Sequence, residues 1–252
     1  MTKPFQGKTA IVTGGSRGIG AGIAKELARS GAFVVFSYAS SSTKANAVVK
    51  EIESTGGRAL AVKADCTEYS SAKNLVDATV EASGGKIDII VNNAGCGDDV
   101  LLDQVDEETF DMTIYTNLRF PLTLIKEAVP FLQQGSRIVN VGSVASKLVS
   151  PYSHLYSASK AALEAVSRTI AATLGQKYSL TCNTINPGPV DTDIWNETLG
   201  REKFQATIEA TPAAGRIGTV DDIVQIVKFL VSEEARWVTG NTTCANGGML
   251  FD

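Results

Sequence analysis

Short apolar runs alternate along the chain with longer stretches in which apolar positions recur every three or four residues. Thr9-Ala-Ile-Val-Thr13, Ala32-Phe-Val-Val-Phe36, Ala59 to Ala64, Ile87 to Val91, Arg137-Ile-Val-Asn-Val141 and Thr181-Cys-Asn-Thr-Ile185 have the length and composition of buried strands. A last strand is expected around Thr242 to Ala245. Between them, helices are predicted after Gly20, over Thr43 to Thr55, Thr67 to Ser83, Glu107 to Gln133, from about Tyr156 through Ala171, and over Val220 to Leu230. Strand and helix in regular succession make an α/β fold on a mainly parallel sheet. Ligands of such sheets collect at the carboxyl ends of the strands. No linker or repeat breaks the succession, so residues 1–252 are expected to form one domain. Residues 190–215 carry Ile194, Trp195, Leu199, Phe204 and Ile208 outside the alternation; they read as a lid over substrate or a packed surface helix, the lid being preferred.

Composition narrows the function classes. The 252 residues are 44% hydrophobic and 20% charged, with a net charge of -4 and no Lys/Arg-rich run, which argues against a nucleic-acid surface or a basic membrane patch. Met1 to Lys8 is polar and no apolar run approaches the roughly 20 residues that span a bilayer, so a cytoplasmic protein is expected. Cys66, Cys96, Cys182 and Cys244 follow no metal-ligand spacing and read as free, partly buried thiols. His154 is the sole histidine, and the adjacent Asp98 and Asp99 read as a solvated loop, so no metal site is expected.

The first strand runs into Gly14-Gly15-Ser16-Arg17-Gly18-Ile19-Gly20 before a helix. That arrangement aims backbone N–H groups and a helix N-terminus at a phosphate. The glycine spacing is GxxxGxG, and the physical demands are those of any dinucleotide turn: a tight bend, room for pyrophosphate and close helix packing. After the second strand comes Ser37-Tyr38-Ala39-Ser40-Ser41, with no acidic residue before Glu51 to hold ribose hydroxyls. Arg17 with the Ser40 and Ser41 hydroxyls suits a 2′-phosphate, so NADPH/NADP+ is inferred over the unphosphorylated cofactor, while Ser42 or Thr43 is expected to cap the next helix.

Later strand ends carry further polar groups. Asp65-Cys66 can meet an adenine amino group or serve a turn; Asn92-Asn93-Ala94-Gly95 follows the fourth strand. Pro121 has no N–H for the Asn117 carbonyl, so a kink is expected there, with the freed acceptor open to water or Lys160. Ser143, just past the fifth strand, can donate to a substrate oxygen, with Ser146 its competitor. Tyr156 and Lys160 stand four apart on a helix, where an ammonium favours the phenolate and readies the hydroxyl for proton exchange.

Taken together, Thr13-Gly14-x-x-x-Gly18-x-Gly20, Asn92-Asn93-Ala94-Gly95, Asn117, Ser143 and Tyr156-x-x-x-Lys160 resemble the short-chain dehydrogenase/reductase family over essentially the whole chain. The resemblance implies a three-layer, doubly wound Rossmann fold with a mainly parallel seven-stranded sheet. It implies a catalytic tetrad of Asn117, Ser143, Tyr156 and Lys160, with Lys160 and Tyr156 also meeting the nicotinamide ribose. Gly14, Ser16, Arg17, Gly18, Ile19, Gly20, Tyr38, Ser40, Ser41, Asp65, Cys66, Asn93, Ala94 and Gly95 fall on cofactor positions, as do Pro187, Gly188, Val190 and Thr192 on the segment that positions the carboxamide. Within the family, Arg17 and Tyr38-Ala-Ser-Ser41 look like the NADPH-preferring reductases, and the tail Trp237 to Gly240 with nearby segments is similar to 3-oxoacyl-carrier-protein reductases and fungal hydroxynaphthalene or polyketide ketoreductases. The implied activity is reduction of a small-molecule ketone by a homotetramer or homodimer. Val144, Tyr152, His154 and Trp195 are candidate contacts to an apolar or aromatic substrate. An alcohol dehydrogenase, a redox-neutral isomerase or cyclase, and a non-catalytic dinucleotide sensor remain alternatives on the same fold.

Overall fold

The computed structural model describes residues 3–97, 100–198 and 200–251. Asp98, Asp99 and Leu199, read above as a loop and a lid position, lie outside the described residues. The strands are β1 (Thr9–Val12), β2 (Phe33–Tyr38), β3 (Arg58–Lys63), β4 (Ile87–Asn92), β5 (Leu132–Val141), β6 (Thr181–Pro187) and β7 (Thr242–Ala245). They form one seven-stranded sheet in the order β3-β2-β1-β4-β5-β6-β7, every pairing parallel. The order reverses at β1, where Ala10 lies opposite Val34 of β2 on one side and Ile89 of β4 on the other. In open sheets of this kind ligands bind outside the carboxyl ends of the strands at such a reversal.

The helices are α1 (Gly18–Arg29), α2 (Ser42–Ser54), α3 (Tyr69–Ser83), α4 (Glu107–Ile114), α5 (Phe120–Ala128), α6 (His154–Tyr178), α7 (Asp193–Glu197), α8 (Gln205–Glu209) and α9 (Val220–Leu230). Strand side chains alternate between the faces of the sheet. In β1, Ala10 and Val12 join a core with Ile23 and Leu27 of α1, Val48 and Ile52 of α2, and Ile223 and Val227 of α9. Ile11 points the other way, into a core with Leu75 of α3, Leu124 of α5 and Ile170 of α6. These are the three layers that the family resemblance implied.

Two local expectations need correction, and a third takes a more specific form. The helix predicted over Glu107 to Gln133 ends at Ala128; Pro130 sits in a 3₁₀ turn, and β5 begins at Leu132, opposite Ile87. Pro130 has no N–H to carry the i→i−4 ladder onward, although Val129 before it is still helical, so the helix tightens into this turn and stops. The cap of α2 is Ser41, whose Oγ accepts from the Lys44 N–H at 3.3 Å, rather than Ser42 or Thr43. The irregularity at Asn117 is a π-helical turn over Tyr115–Arg119, with the Phe120 N–H donating to the Tyr115 carbonyl. It falls where Pro121 withholds the donor that a regular helix would direct at Asn117.

Candidate active site

The glycine turn is built by tying its first amides inward. Gly14 N–H donates to Ser37 Oγ at 3.0 Å and Gly15 N–H to the Ser37 carbonyl at 2.8 Å. Gly14 and Gly18 have positive φ (67° and 53°), and a Cβ on Gly20 would stand 2.3 Å from the Gly14 carbonyl oxygen and 2.5 Å from Asn93 Nδ2. Arg17 is the N-cap of α1 but supplies no capping side chain, and no acidic residue lies in the first turn. The N-terminal amides of α1 are therefore left without a side-chain cap, as an anion-binding helix start requires, beside half-buried Ser16 and Ile19. Asn93 is held from behind: its Nδ2 donates to the Thr13 carbonyl at 2.9 Å, and Thr13 Oγ1 accepts from the Asn93 and Ala94 amides, both at 2.9 Å. The Asn93 side chain thus braces β1 against β4, leaving its neighbours to line the cleft.

At the far end of that turn three charges meet. Asp193 Oδ2 accepts from Arg17 at 3.2 Å and from Lys44 at 3.3 Å. These hydrogen bonds hold the Asp193 carboxyl below the ordinary range. Ser40 is exposed beside this cluster in sequence, whereas the Tyr38 ring packs against the core. Asp65 takes the turn role: Oδ1 accepts from the Thr67 amide (2.9 Å) and hydroxyl (2.7 Å), which lowers its pKa. Cys66 packs against the core, and burial, with Asp65 adding to it, pushes its thiol up to about 12.

The four residues of the expected tetrad come from three places, all beside the carboxyl ends of the interior strands β4 and β5. Asn117, fully buried in the π turn, accepts the Cys96 amide at 3.0 Å and donates through Nδ2 to the Cys96 carbonyl (2.9 Å) and to Ser159 Oγ (3.1 Å). Ser159 in turn donates to the Tyr156 carbonyl at 2.7 Å, which joins the π turn to α6. Lys160 is buried; its Nζ donates to the Val141 carbonyl at 2.8 Å and lies 5.5 Å from the centroid of the Tyr156 ring. Burial lowers the Lys160 pKa to about 8. A Cβ on Gly95 would come within 3.3 Å of both Asn117 Oδ1 and Lys160 Nζ, so the glycine is what lets these two groups approach. Ser143 Oγ accepts the Ala145 amide at 3.1 Å, which leaves its own hydrogen free to point at a ligand. The Ser146 hydroxyl is engaged elsewhere, donating to the Ser143 carbonyl at 2.9 Å and accepting from Asn186 Nδ2 at 3.1 Å.

A family model described as enoyl-(acyl carrier protein) reductase matches residues 14–250. The chain is 47% identical over 248 residues to the short-chain dehydrogenase/reductase FrzI of a Cladobotryum species, covering 96% of each protein. The chain belongs to the short-chain dehydrogenase/reductase family. As a member it is an oxidoreductase. It is also 36% identical to the hydroxynaphthalene reductase arp2 of Aspergillus fumigatus, with 94% of this chain and 90% of the relative covered. The solved angucycline C-6 ketoreductase LanV with bound NADP superposes with a TM-score of 0.91 at 33% identity, covering 99% of this chain and 98% of that one.

In this short-chain dehydrogenase/reductase the rest of the predicted site is arranged around Thr192. Its methyl would be 3.4 Å from a Cβ on Gly18, so the segment after β6 rests on the glycine turn. Thr192 Oγ1 donates to the Val190 carbonyl at 3.2 Å and caps α7. Val190 itself is in the core, which leaves only its backbone for a ligand. Pro187 is buried at the end of β6, and Gly188 packs against Asn246. Trp195 meets Phe204 edge to face at 6.1 Å, and Tyr152 lies under Lys203 and beside Gly200, so the loop before α6 touches the 190–215 segment. Val144 is buried, and His154 begins α6 with its Nδ1 buried and unpaired.

Lys44, Asn186, Glu164 and Ser159 also shape the site and were missed. Lys44 had a visible signal, a cation one turn into the helix that follows the NADP-type serines. The others act through contacts between elements distant in sequence. Among the described residues there is no group of three or more His, Cys, Asp or Glu arranged to hold a metal, and no helix is long and apolar enough to cross a membrane.

Proposed function

We propose that the chain is an NADP(H)-dependent carbonyl reductase in which Tyr156 is the general acid. The observation that carries this reading is the buried Lys160 ammonium beside the Tyr156 ring, at the carboxyl end of the sheet, where the glycine turn also follows its strand. The residues present fit the cofactor. Gly14 and Gly18 supply the positive φ and Gly20 the close approach of α1 to the Gly14 carbonyl that a tight phosphate-binding turn needs, and Arg17 and Lys44 already share one oxyanion, the Asp193 carboxylate, in the manner a 2′-phosphate would require. When bound, the nicotinamide supplies the hydride.

Tyr156 gives its proton to the carbonyl oxygen as negative charge develops there. Ser143 donates its free hydroxyl hydrogen to the same oxygen, stabilising the alkoxide before protonation is complete. Lys160 stabilises the phenolate left on Tyr156 and holds the ribose hydroxyls, while the widened turn at Asn117 presents a backbone acceptor for the water that returns protons. The substrate is an apolar, aromatic polyketide-like ketone. The names of the hydroxynaphthalene and angucycline relatives support that class, as do Tyr152, Trp195 and Phe204 gathered at the 190–215 segment, which acts as the lid.

The test is NADPH oxidation with a panel of cyclic and aromatic ketones. Turnover is expected for at least one bicyclic aromatic ketone, and Tyr156→Phe should reduce it by roughly 100- to 10,000-fold. Near wild-type turnover by that variant would refute the acid assignment. The reading extends to a cytoplasmic homotetramer or homodimer: α4 and α5, which flank Asn117, expose Phe110, Met112 and Leu122. Sedimentation showing monomer alone would refute the assembly.

A further inference from the structure

We infer that Asn186 is a positioning residue for Ser143, anchored by Glu164, and that this hydrogen-bonded triad holds the alkoxide-stabilising hydroxyl in register. The inference rests on the ketoreductase reading above and names residues that the tetrad does not include. Asn186 is in β6, fully buried, on the strand next to β5, whose last residue Val141 lies two before Ser143. Its Oδ1 accepts the Ser143 amide at 3.1 Å. Its Nδ2 donates to Ser146 Oγ at 3.1 Å, and Ser146 Oγ donates to the Ser143 carbonyl at 2.9 Å. The ring is closed: both backbone polar groups of Ser143 end on Asn186, one directly and one through Ser146.

The second anchor comes from α6. Glu164, one turn beyond Lys160 and buried, accepts from Asn186 Nδ2 through Oε1 at 2.7 Å. An amide in β6 can rotate about its terminal bond unless each end is specified, and here the donor end is fixed by a carboxyl and the acceptor end by an N–H. Residue 142 shows how closely this fits. A Cβ there would lie 2.2 Å from Asn186 Oδ1, and the Gly142 amide donates to the Ile185 carbonyl at 2.7 Å, so β5 is drawn onto β6 immediately before Ser143. Polar groups buried this deeply are costly unless paired, and here the pairing ends on the one residue whose Oγ must be aimed at the reacting oxygen.

The decisive experiment is a double-mutant cycle on the full-length protein, with NADPH and a ketone turned over by the wild type. Asn186→Ala should lower kcat about 10- to 100-fold, as a misplaced catalytic group does, while the NADPH Kd is little changed. Ser143→Ala should cost roughly 100-fold or more, and adding Asn186→Ala to it should cost less than about twofold more, because the hydroxyl being aimed is gone. A second pair covers the case in which Asn186→Ala folds poorly. Asn186→Asp sets acceptor against acceptor at Glu164, and Glu164→Gln added to it supplies a donor again in the reversed sense; the double variant should recover kcat at least about tenfold over Asn186→Asp alone. Equal losses from Asn186→Ala in both backgrounds, or no recovery in the reversed pair, would overturn the positioning role while leaving the reductase reading intact. No NADPH consumption by the wild type with any ketone would instead sink the reductase reading, and the positioning role with it.

Discussion

Lys160 Nζ donates to the carbonyl of Val141, the last residue of β5, at 2.8 Å. A buried ammonium held by a neutral oxygen is still largely desolvated, and burial accordingly lowers its pKa to about 8 from the ordinary 10.5. Below pH 8 both the folded and the unfolded chain carry the proton, and the folded state bears the full desolvation penalty. Between about 8 and 10.5 the folded protein gives up a proton that the unfolded chain keeps, so this residue makes stability rise with pH. Lys160→Met removes the penalty. It should be more stable than wild type at pH 6 to 7, by up to about 3 kcal/mol, with the gap closing above the unfolded pKa. Urea titrations of both proteins across that range check it, and a gap that does not shrink with pH would refute it. In wild type, kcat/KM should fall above about 8 as the free enzyme loses this charge.

The Asp193 carboxylate occupies both cations assigned to the 2′-phosphate. All three groups are exposed, so the ion pairs are weak and screened by salt. Arg17→Ala should weaken NADPH binding by roughly tenfold or more and leave NADH binding unchanged, since a charge-assisted contact to the phosphate is lost. Asp193→Asn removes a competitor and should tighten NADPH binding about two- to fivefold at low salt, less at high salt. Fluorescence titrations with both cofactors at two ionic strengths decide this. Equal losses of NADPH and NADH affinity in Arg17→Ala would count against the phosphate assignment.

Ser159 links the two halves of the tetrad. Ser159→Ala leaves one Nδ2 hydrogen of buried Asn117 without its acceptor, which should cost about 1 to 3 kcal/mol in a urea melt. The loosened Asn117 should also lower kcat more than it raises KM. An unchanged melting curve would mean that Asn117 finds another partner.

Much of this was legible because it is local. A strand, three glycines and an apolar helix face specify the phosphate cradle within a dozen residues, and Tyr156 with Lys160 is a spacing on one helix. Ser143 followed from where its strand ends. The hidden features are those made between elements that become neighbours only once the sheet is ordered. Asn186 reads in sequence as part of a rigid Asn-Pro-Gly turn, and nothing in its neighbourhood points to Ser143 just beyond β5 or Glu164 on α6. The helix that stops at Ala128 is a different case: Pro130 was in view, and an apolar pattern continuing through Phe131 and Leu132 concealed the change from helix to strand. Ser146, an open competitor of Ser143 on sequence alone, is separated from it only by where each hydroxyl is engaged.

Gly20 gives the sharpest test of the cofactor cradle. A methyl group at this position would stand 2.3 Å from the Gly14 carbonyl oxygen and 2.5 Å from Asn93 Nδ2. Neither neighbour can retreat easily, because the Gly14 carbonyl is backbone in a turn tied to Ser37 and the Asn93 amide is donated to the Thr13 carbonyl. The turn must therefore open, moving α1 away from the end of β1. Gly20→Ala should lose about 1 to 3 kcal/mol of stability through overpacking. NADPH binding should fall further than that loss alone implies, since the amides at the start of α1 no longer converge. A variant at Gly56, where a Cβ would meet nothing within 4 Å but φ is +76°, makes the control: it is strained in the backbone yet remote from the cradle. Gly56→Ala should lose comparable stability and keep its cofactor affinity. If both variants bind NADPH as wild type does, the glycine turn is not where the pyrophosphate sits.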